Sequence, residues 1–245
     1  MTSKGKTLSG IPILDQRFGG LYRGRACLCI GASGSGKSVA LMQFLRQSLL
    51  NQERVLIVTY STTEELIDEA EKFDIDLITA LDELRLFVLE YKLLFSSEEE
   101  NPDFLSDETF LMLQRYIETK RIERMAIDPV LPWVTVPQGQ QLEQHLRNFI
   151  HDLEALGPTT LITLPEAVSS LAKRLTTSLQ TLVPIAFRLE HGERGRYLVF
   201  TRFLGETHLP PPVPILIEPP EGITQGTKSV PLHVTSRLNG GKEIL

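Results

Sequence analysis

Gly31-Ala32-Ser33-Gly34-Ser35-Gly36-Lys37-Ser38 sets glycines, a lysine and a hydroxyl at the spacing G-x-x-x-x-G-K-[ST]. Residues of these types in this order bind phosphate. The glycines let successive backbone N–H groups turn inward on an anion, and the start of a following helix adds partial positive charge. Lys37, read as a solvent-facing cation, reaches the terminal phosphates, and the Ser38 hydroxyl holds Mg²⁺. The expected nucleotide contacts are Gly31, Ala32, Ser33, Gly34, Ser35, Gly36, Lys37, Ser38 and Val39. A second candidate is Asp128, which ends the short apolar run Met125-Ala126-Ile127. A carboxylate at a strand end, downstream of a phosphate loop, orients Mg²⁺ or its water shell. Lys37 and Asp128 are therefore catalytic candidates, Ser38 and Asp128 metal candidates, and ATP with Mg²⁺ the expected cofactors.

The elements that must position these groups follow from period and punctuation. Ala26 to Ile30 reads as a buried strand and Val39 to Leu50 as a helix, so the loop has a strand before it and a helix after it. Val55 to Tyr60 is a second buried strand. Ser61 to Glu65 opens a helix, with capping-box spacing available to Ser61 with Glu64 or to Thr62 with Glu65. Asp82 to Leu89 leads into a third strand. Asp107 to Arg121 and Gln141 to Leu156 carry apolar residues on one helical face, the second helix being closed by Gly157-Pro158. Thr159 to Leu164 is a further strand, and so is Thr181 to Leu189, whose Pro184 predicts a sheet edge or an irregularity. The three prolines between Pro129 and Gln141 predict a loop near the nucleotide. Its Trp133 reads first as an anchor buried against its own domain and second as a partner contact. The acidic stretch within residues 96–107 reads as a solvated loop.

Composition narrows the function. With a net charge of −6 and no basic run, the chain lacks a general electrostatic grip on nucleic acid or an anionic membrane. No apolar segment is long enough for a signal peptide or a span, so a cytoplasmic protein is expected. Cys27 and Cys29 share one face of a strand and pack as small hydrophobes, while the five histidines form no zinc pattern. No internal repeat is visible. The expected organisation is one nucleotide-binding domain over residues 1–223 and a flexible tail over 224–245.

Leu8 to Asp15, followed by Phe18-Gly19-Gly20-Leu21 and Arg23-Gly24, resembles the start "S/T-G-I-x-x-L/F-D … G-G-L-x-x-G" of the KaiC-like branch of the RecA superfamily. The resemblance continues through Phe73 to Leu77, Asp82 to Leu89 and Gly157 to Thr163. It implies an α/β fold with a RecA-like P-loop NTPase core: a mostly parallel sheet flanked by helices, with a C-terminal β-hairpin. It also implies a homo-oligomer, expected to be a hexamer, with ATP at subunit interfaces. In the family a hairpin reading "R-x-L-x-I-x-K-x-R-G-x-x-H" carries cations into the neighbouring subunit's site. Residues 196–208 align with it without a gap, with Arg202 at the lysine, Leu204 at the arginine and His208 at the histidine. Arg202 thus becomes a catalytic candidate acting in trans, and Arg202 and His208 become nucleotide contacts.

The chain departs from the family at the glutamate pair of "T-F-E-E-T/S-P", which polarises the attacking water. The aligned residues are Ser61 and Thr62, and hydroxyls are poor general bases. Three functions are compatible with this sequence. One is a self-associating ATP binder with weak or absent hydrolysis, regulatory or scaffolding, similar to the archaellum accessory ATP-binding protein. The others are an active oligomeric ATPase and a DNA-binding recombination accessory factor. The missing glutamates favour the first, and the acidic balance disfavours the third.

Overall fold

Strand β3 (Ala26–Gly31) lies at the centre of a nine-stranded sheet, and all six of its residues are buried. The computed structural model describes residues 5–91, 107–134, 142–192 and 195–226. Outside them lie the acidic residues Glu98 to Glu100, residues 135–141 of the proline-rich segment, and the tail beyond residue 226.

A small sheet of β1 (Lys6–Thr7) and β2 (Leu21–Tyr22) encloses α1 (Pro12–Phe18). After β3 come α2 (Lys37–Leu50), β4 (Val55–Thr59), α3 (Thr63–Glu71), α4 (Leu77–Asp82) and β5 (Leu86–Glu90). Then follow α5 (Asp107–Lys120), β6 (Arg124–Asp128), α6 (Leu131–Val134), α7 (Leu142–Ala155), β7 (Thr159–Pro165) and α8 (Ser170–Leu182). The chain continues with β8 (Ile185–Gly192), β9 (Gly195–Phe203), β10 (Val213–Glu218) and β11 (Gly222–Gln225). The strand order is β11-β10-β9-β8-β3-β7-β6-β4-β5. Pairing is parallel from β8 through β3 to β5 and antiparallel from β8 to β11. This is the expected RecA-like core with its C-terminal antiparallel extension.

Strand period 2 divides the core. Cys27 and Cys29 face a cluster under α1 to α4, whereas Ala26, Leu28 and Ile30 face a second cluster under α5 to α8. A fully buried Phe44 on α2 contributes about 1.5–3 kcal/mol by leaving water. Trp133 is buried in α6, and its Nε1 donates to Tyr91 Oη at 2.8 Å, so it is an anchor within its own domain. No helix among the described residues is long and apolar enough to cross a membrane.

Three expectations are corrected. Thr181 and Leu182 end helix α8, and the strand starts after Pro184. That strand, β8, is interior, paired with β3 and β9; Pro184 precedes the ladder, so its missing N–H costs no pairing. The irregularity is a register shift between Ala186 and Phe187. Four helices, α1, α4, α6 and α8, stand where no helix is expected.

The N-terminal arm is tied to the sheet by Arg124, whose side chain is fully buried. Its Nε lies 2.5 Å from Glu53 Oε2, its Nη1 donates to the Leu8 carbonyl at 2.8 Å, and its Nη2 donates to Thr7 Oγ1 at 2.7 Å. The guanidinium carbon stands 5.2 Å from the centre of the Phe44 ring. Burial lowers the pKa of Arg124 against the pull of Glu53.

Candidate nucleotide-binding site

β3 ends at Gly31 and α2 begins at Lys37, so residues 32–36 make the whole passage from sheet to helix. The surroundings demand glycine at two positions. A Cβ on Gly31 would stand 2.2 Å from Ser35 Oγ and 2.9 Å from the Leu189 carbonyl oxygen. A Cβ on Gly36, whose φ is +108°, would stand 2.4 Å from Ile217 Cδ1. Gly36 is the N-cap of α2 and offers no side-chain cap, which leaves the first helical N–H groups for an anion. Ser35 Oγ is buried on the inner side of the loop without a hydrogen-bond partner. Ser38 and Val39 are partly buried in the first turn of α2.

Lys37 does not face solvent as a free cation. Its Nζ donates to the carbonyls of Gly31 and Ala32, each at 2.8 Å, so the ammonium is folded back on its own loop.

Asp128 ends β6, separated from β3 by β7. Thr163 Oγ1, on β7, donates to Asp128 Oδ1. Register sets Thr59 beside Glu90 on one side and Asp128 on the other. The preceding residues Val58, Ile127 and Ile162 face the α5–α8 cluster, so Thr59, Asp128 and Thr163 face the α2 side. Lys37 and Asp128 both act on Cys29 beneath them. Burial pushes this thiol far up, the Lys37 charge pulls it down and the Asp128 charge pushes it up. Lys37 opens the helix that follows β3, and Asp128 ends β6 on the same side of the sheet as that helix. This donor set of loop N–H groups, ammonium, hydroxyl and carboxylate fits a metal-bound nucleoside triphosphate.

Of the two capping pairs the sequence offers, Thr62 with Glu65 forms. Thr62 accepts from Glu65 N, and Glu65 Oε2 accepts from Thr62 N at 2.9 Å. Ser61 N donates to Thr59 Oγ1, and Glu64 is exposed in the first turn of α3. Further along α3, Glu69 is half-buried; burial pushes its carboxyl up, and so does the charge of Asp128, against the pull of Lys72. Glu90 Oε1 accepts from Thr63 N at 3.3 Å. Sequence reading missed Thr163 and Glu90 as part of this row, because only strand pairing brings them beside Asp128 and Thr59.

Arg202 and His208 are not brought to this loop within the chain. Gly31 pairs with Leu189, which pairs with Leu198, whereas Arg202 pairs with Ala186. Arg202 is four residues beyond Leu198, about 13 Å toward the other end of the sheet at ~3.3 Å per residue. His208 is exposed in the segment after β9.

A profile of the KaiC ATPase family matches residues 7–228. The circadian clock oscillator protein KaiC of Synechococcus elongatus is 25% identical over 210 residues, which are 83% of this chain and 40% of that protein. KaiC of Thermostichus vulcanus is 25% identical over 211 residues with the same coverage. KaiC of Parathermosynechococcus lividus is 32% identical over 118 residues, 47% of this chain and 22% of that one. The chain therefore spans about 40% of the length of the first two relatives. With a phosphate loop, a strand-end aspartate and a parallel core in this order, and a family match over nearly all its length, the chain belongs to the KaiC family of RecA-like P-loop ATPases.

Proposed function

We propose that the chain is an ATP-binding, self-associating regulatory or scaffold protein in which hydrolysis is weak or absent. What supports this reading is that Ser61 and Thr62, just before α3, align with the glutamate pair that polarises water in the resembled family, and the nearby Glu65 is committed to capping the helix. A hydroxyl is a poor base near neutral pH, and a general base must come within hydrogen-bond reach of the water. Mg²⁺-bound ATP supplies the γ-phosphate on which the chemistry of such a site turns. Toward it, the N–H groups of Gly31 to Ser38 and the ammonium of Lys37 hold phosphate oxygens. Ser38 and Asp128 hold the metal, and Thr163 fixes the carboxylate of Asp128. Lys37 must leave the Gly31 and Ala32 carbonyls to do so.

In this reading Arg202 and His208 serve the site of the neighbouring copy. The separation of Arg202 from its own loop supports that assignment, since a cis contact would have to cross most of the strand length. Such a head-to-tail interface closes into a ring when its rotation permits, and a hexamer is the proposed form. A regulatory role accords with relatives named as circadian clock oscillator proteins.

Two measurements test the binding and assembly parts. Lys37→Ala is expected to weaken ATP binding about 100-fold by titration calorimetry, as befits a lost charged hydrogen bond at about 1.4 kcal/mol per tenfold. Unchanged affinity would remove the phosphate loop from the account. Light scattering should show a ring mass that depends on ATP, and Arg202→Ala is expected to raise the ATP concentration for half-assembly about tenfold. A parent chain that stays monomeric in saturating ATP would refute self-association.

A further inference from the structure

We infer that Tyr91 is a positioning residue for Asp128: acting through the Pro129 carbonyl, it holds the carboxylate in the posture that Mg²⁺-dependent ATP binding needs. The inference rests on the metal role proposed for Asp128 above. Strands β5 and β6 flank β4, and Tyr91, the residue after β5, reaches across the end of β4 to the chain leaving β6. Its Oη donates to the Pro129 carbonyl at 2.7 Å and accepts from Trp133 Nε1 at 2.8 Å. Tyr60, the residue after β4, packs on the Tyr91 ring with centroids 4.5 Å apart.

The turn after Asp128 is thus pinned from both faces of the sheet. On the α2 side Thr163 Oγ1 donates to Asp128 Oδ1, and the Thr163 carbonyl accepts from Val130 N at 2.9 Å. Tyr91 belongs to the cluster under α5 to α8 and takes the Pro129 carbonyl that lies between. The proline ring fixes φ, so few rotations separate the carbonyl that Tyr91 holds from the Cα that carries the carboxylate. Packing alone does not call for the hydroxyl. A phenylalanine would fill the cluster, whereas a phenol that accepts from an indole still has its own proton to place, and it is placed on the residue next to Asp128. Burial pushes the Tyr91 hydroxyl far up, against the pull of the Trp133 hydrogen bond, and the Asp128 charge adds to the rise, so it remains a donor near neutral pH. Groups that stand behind a ligating carboxylate set metal affinity by about 10–100-fold.

The test is titration calorimetry of ATP on the full chain at a series of Mg²⁺ concentrations and in excess EDTA. Tyr91→Phe is expected to raise the Mg²⁺ concentration that gives half of the affinity gain about tenfold, with ATP affinity in EDTA staying within about twofold of the parent. Trp133→Phe keeps the bond from Tyr91 to Pro129; it is expected to lose stability and to retain the parent's Mg²⁺ response. Tyr91→Phe with Trp133→Phe removes the hydroxyl together with the N–H that donates to it, and carries the test where the single Tyr91 variant does not fold. If Trp133→Phe shifts the Mg²⁺ response as far as Tyr91→Phe, or if Tyr91→Phe loses affinity equally in EDTA, Tyr91 acts through packing and the inference falls. A parent-like Mg²⁺ response in Tyr91→Phe, with Asp128→Asn abolishing it, overturns the inference alone. A parent-like response in Asp128→Asn removes the proposed metal role, and the inference with it.

Discussion

Placing glutamate at Ser61 and Thr62 and arginine at Leu204 in one chain is expected to raise single-turnover phosphate release by about 10³-fold or more. A positioned general base is worth about 10²–10⁴ and a trans arginine about 10³–10⁵ in enzymes that depend on them. The full product is not expected, because Arg202 already offers one cation and because Thr62 caps α3. Losing that cap costs about 1 kcal/mol and loosens the turn that must aim the new carboxylates. Ser61→Glu with Leu204→Arg, which spares the cap, should therefore recover much of the gain. If the unmodified chain releases phosphate within about tenfold of an active KaiC-family ATPase, roughly 1.4 kcal/mol of barrier, the account of weak hydrolysis is wrong. Glu64, exposed in the first turn of α3, then becomes the residue to mutate.

Arg124→Ala is expected to destabilise the fold by about 3–5 kcal/mol, because it leaves Glu53 buried without its main counter-charge and frees the Thr7 and Leu8 contacts. The lower end is favoured. Glu53 keeps Arg23 Nη1 at 3.3 Å and Asn51 Nδ2 at 3.1 Å. Replacing both partners, Arg124→Met with Glu53→Met, is expected to recover most of the stability, since an apolar pair of similar volume carries no desolvation penalty. Urea unfolding of the single and double variants checks this. A single variant within about 0.5 kcal/mol of the parent would mean that the arm is held by other contacts.

The phosphate loop was legible because its chemistry is local: glycines, lysine and hydroxyl act within eight consecutive residues. Asp128 was legible because an apolar run and its terminal carboxylate are also neighbours in sequence. Thr163 and Glu90 were not, since their relevance arises from strands that pair across the sheet. Lys37 was expected to face solvent, but its ammonium folds back on the Gly31 and Ala32 carbonyls, because only the folded loop turns those carbonyls toward it. Of the two readings of Pro184, the irregularity is found, at Ala186/Phe187, and the sheet edge is not, because a proline just ahead of a strand and one within it look alike in sequence and only the second removes a ladder hydrogen bond. Helix α8 was overlooked because its buried face rests on Leu175, Thr176 and Leu179, a narrow stripe in an otherwise polar stretch.

The contact between Gly36 and Ile217 orders events in time. The loop residues leave the ribosome early, yet their strand β3 is bordered by β7 and β8, and the turn into α2 rests on a side chain of β10. Gln43 of α2 reaches the same hairpin, donating to the carbonyls of Glu221 and Ile223. A nascent chain stopped before Val213 would thus carry the whole phosphate-binding motif and still lack the surface that shapes it. Nucleotide capture becomes a late event in biogenesis, available only once nearly the entire core has been made, and such distant pairings are slow to close.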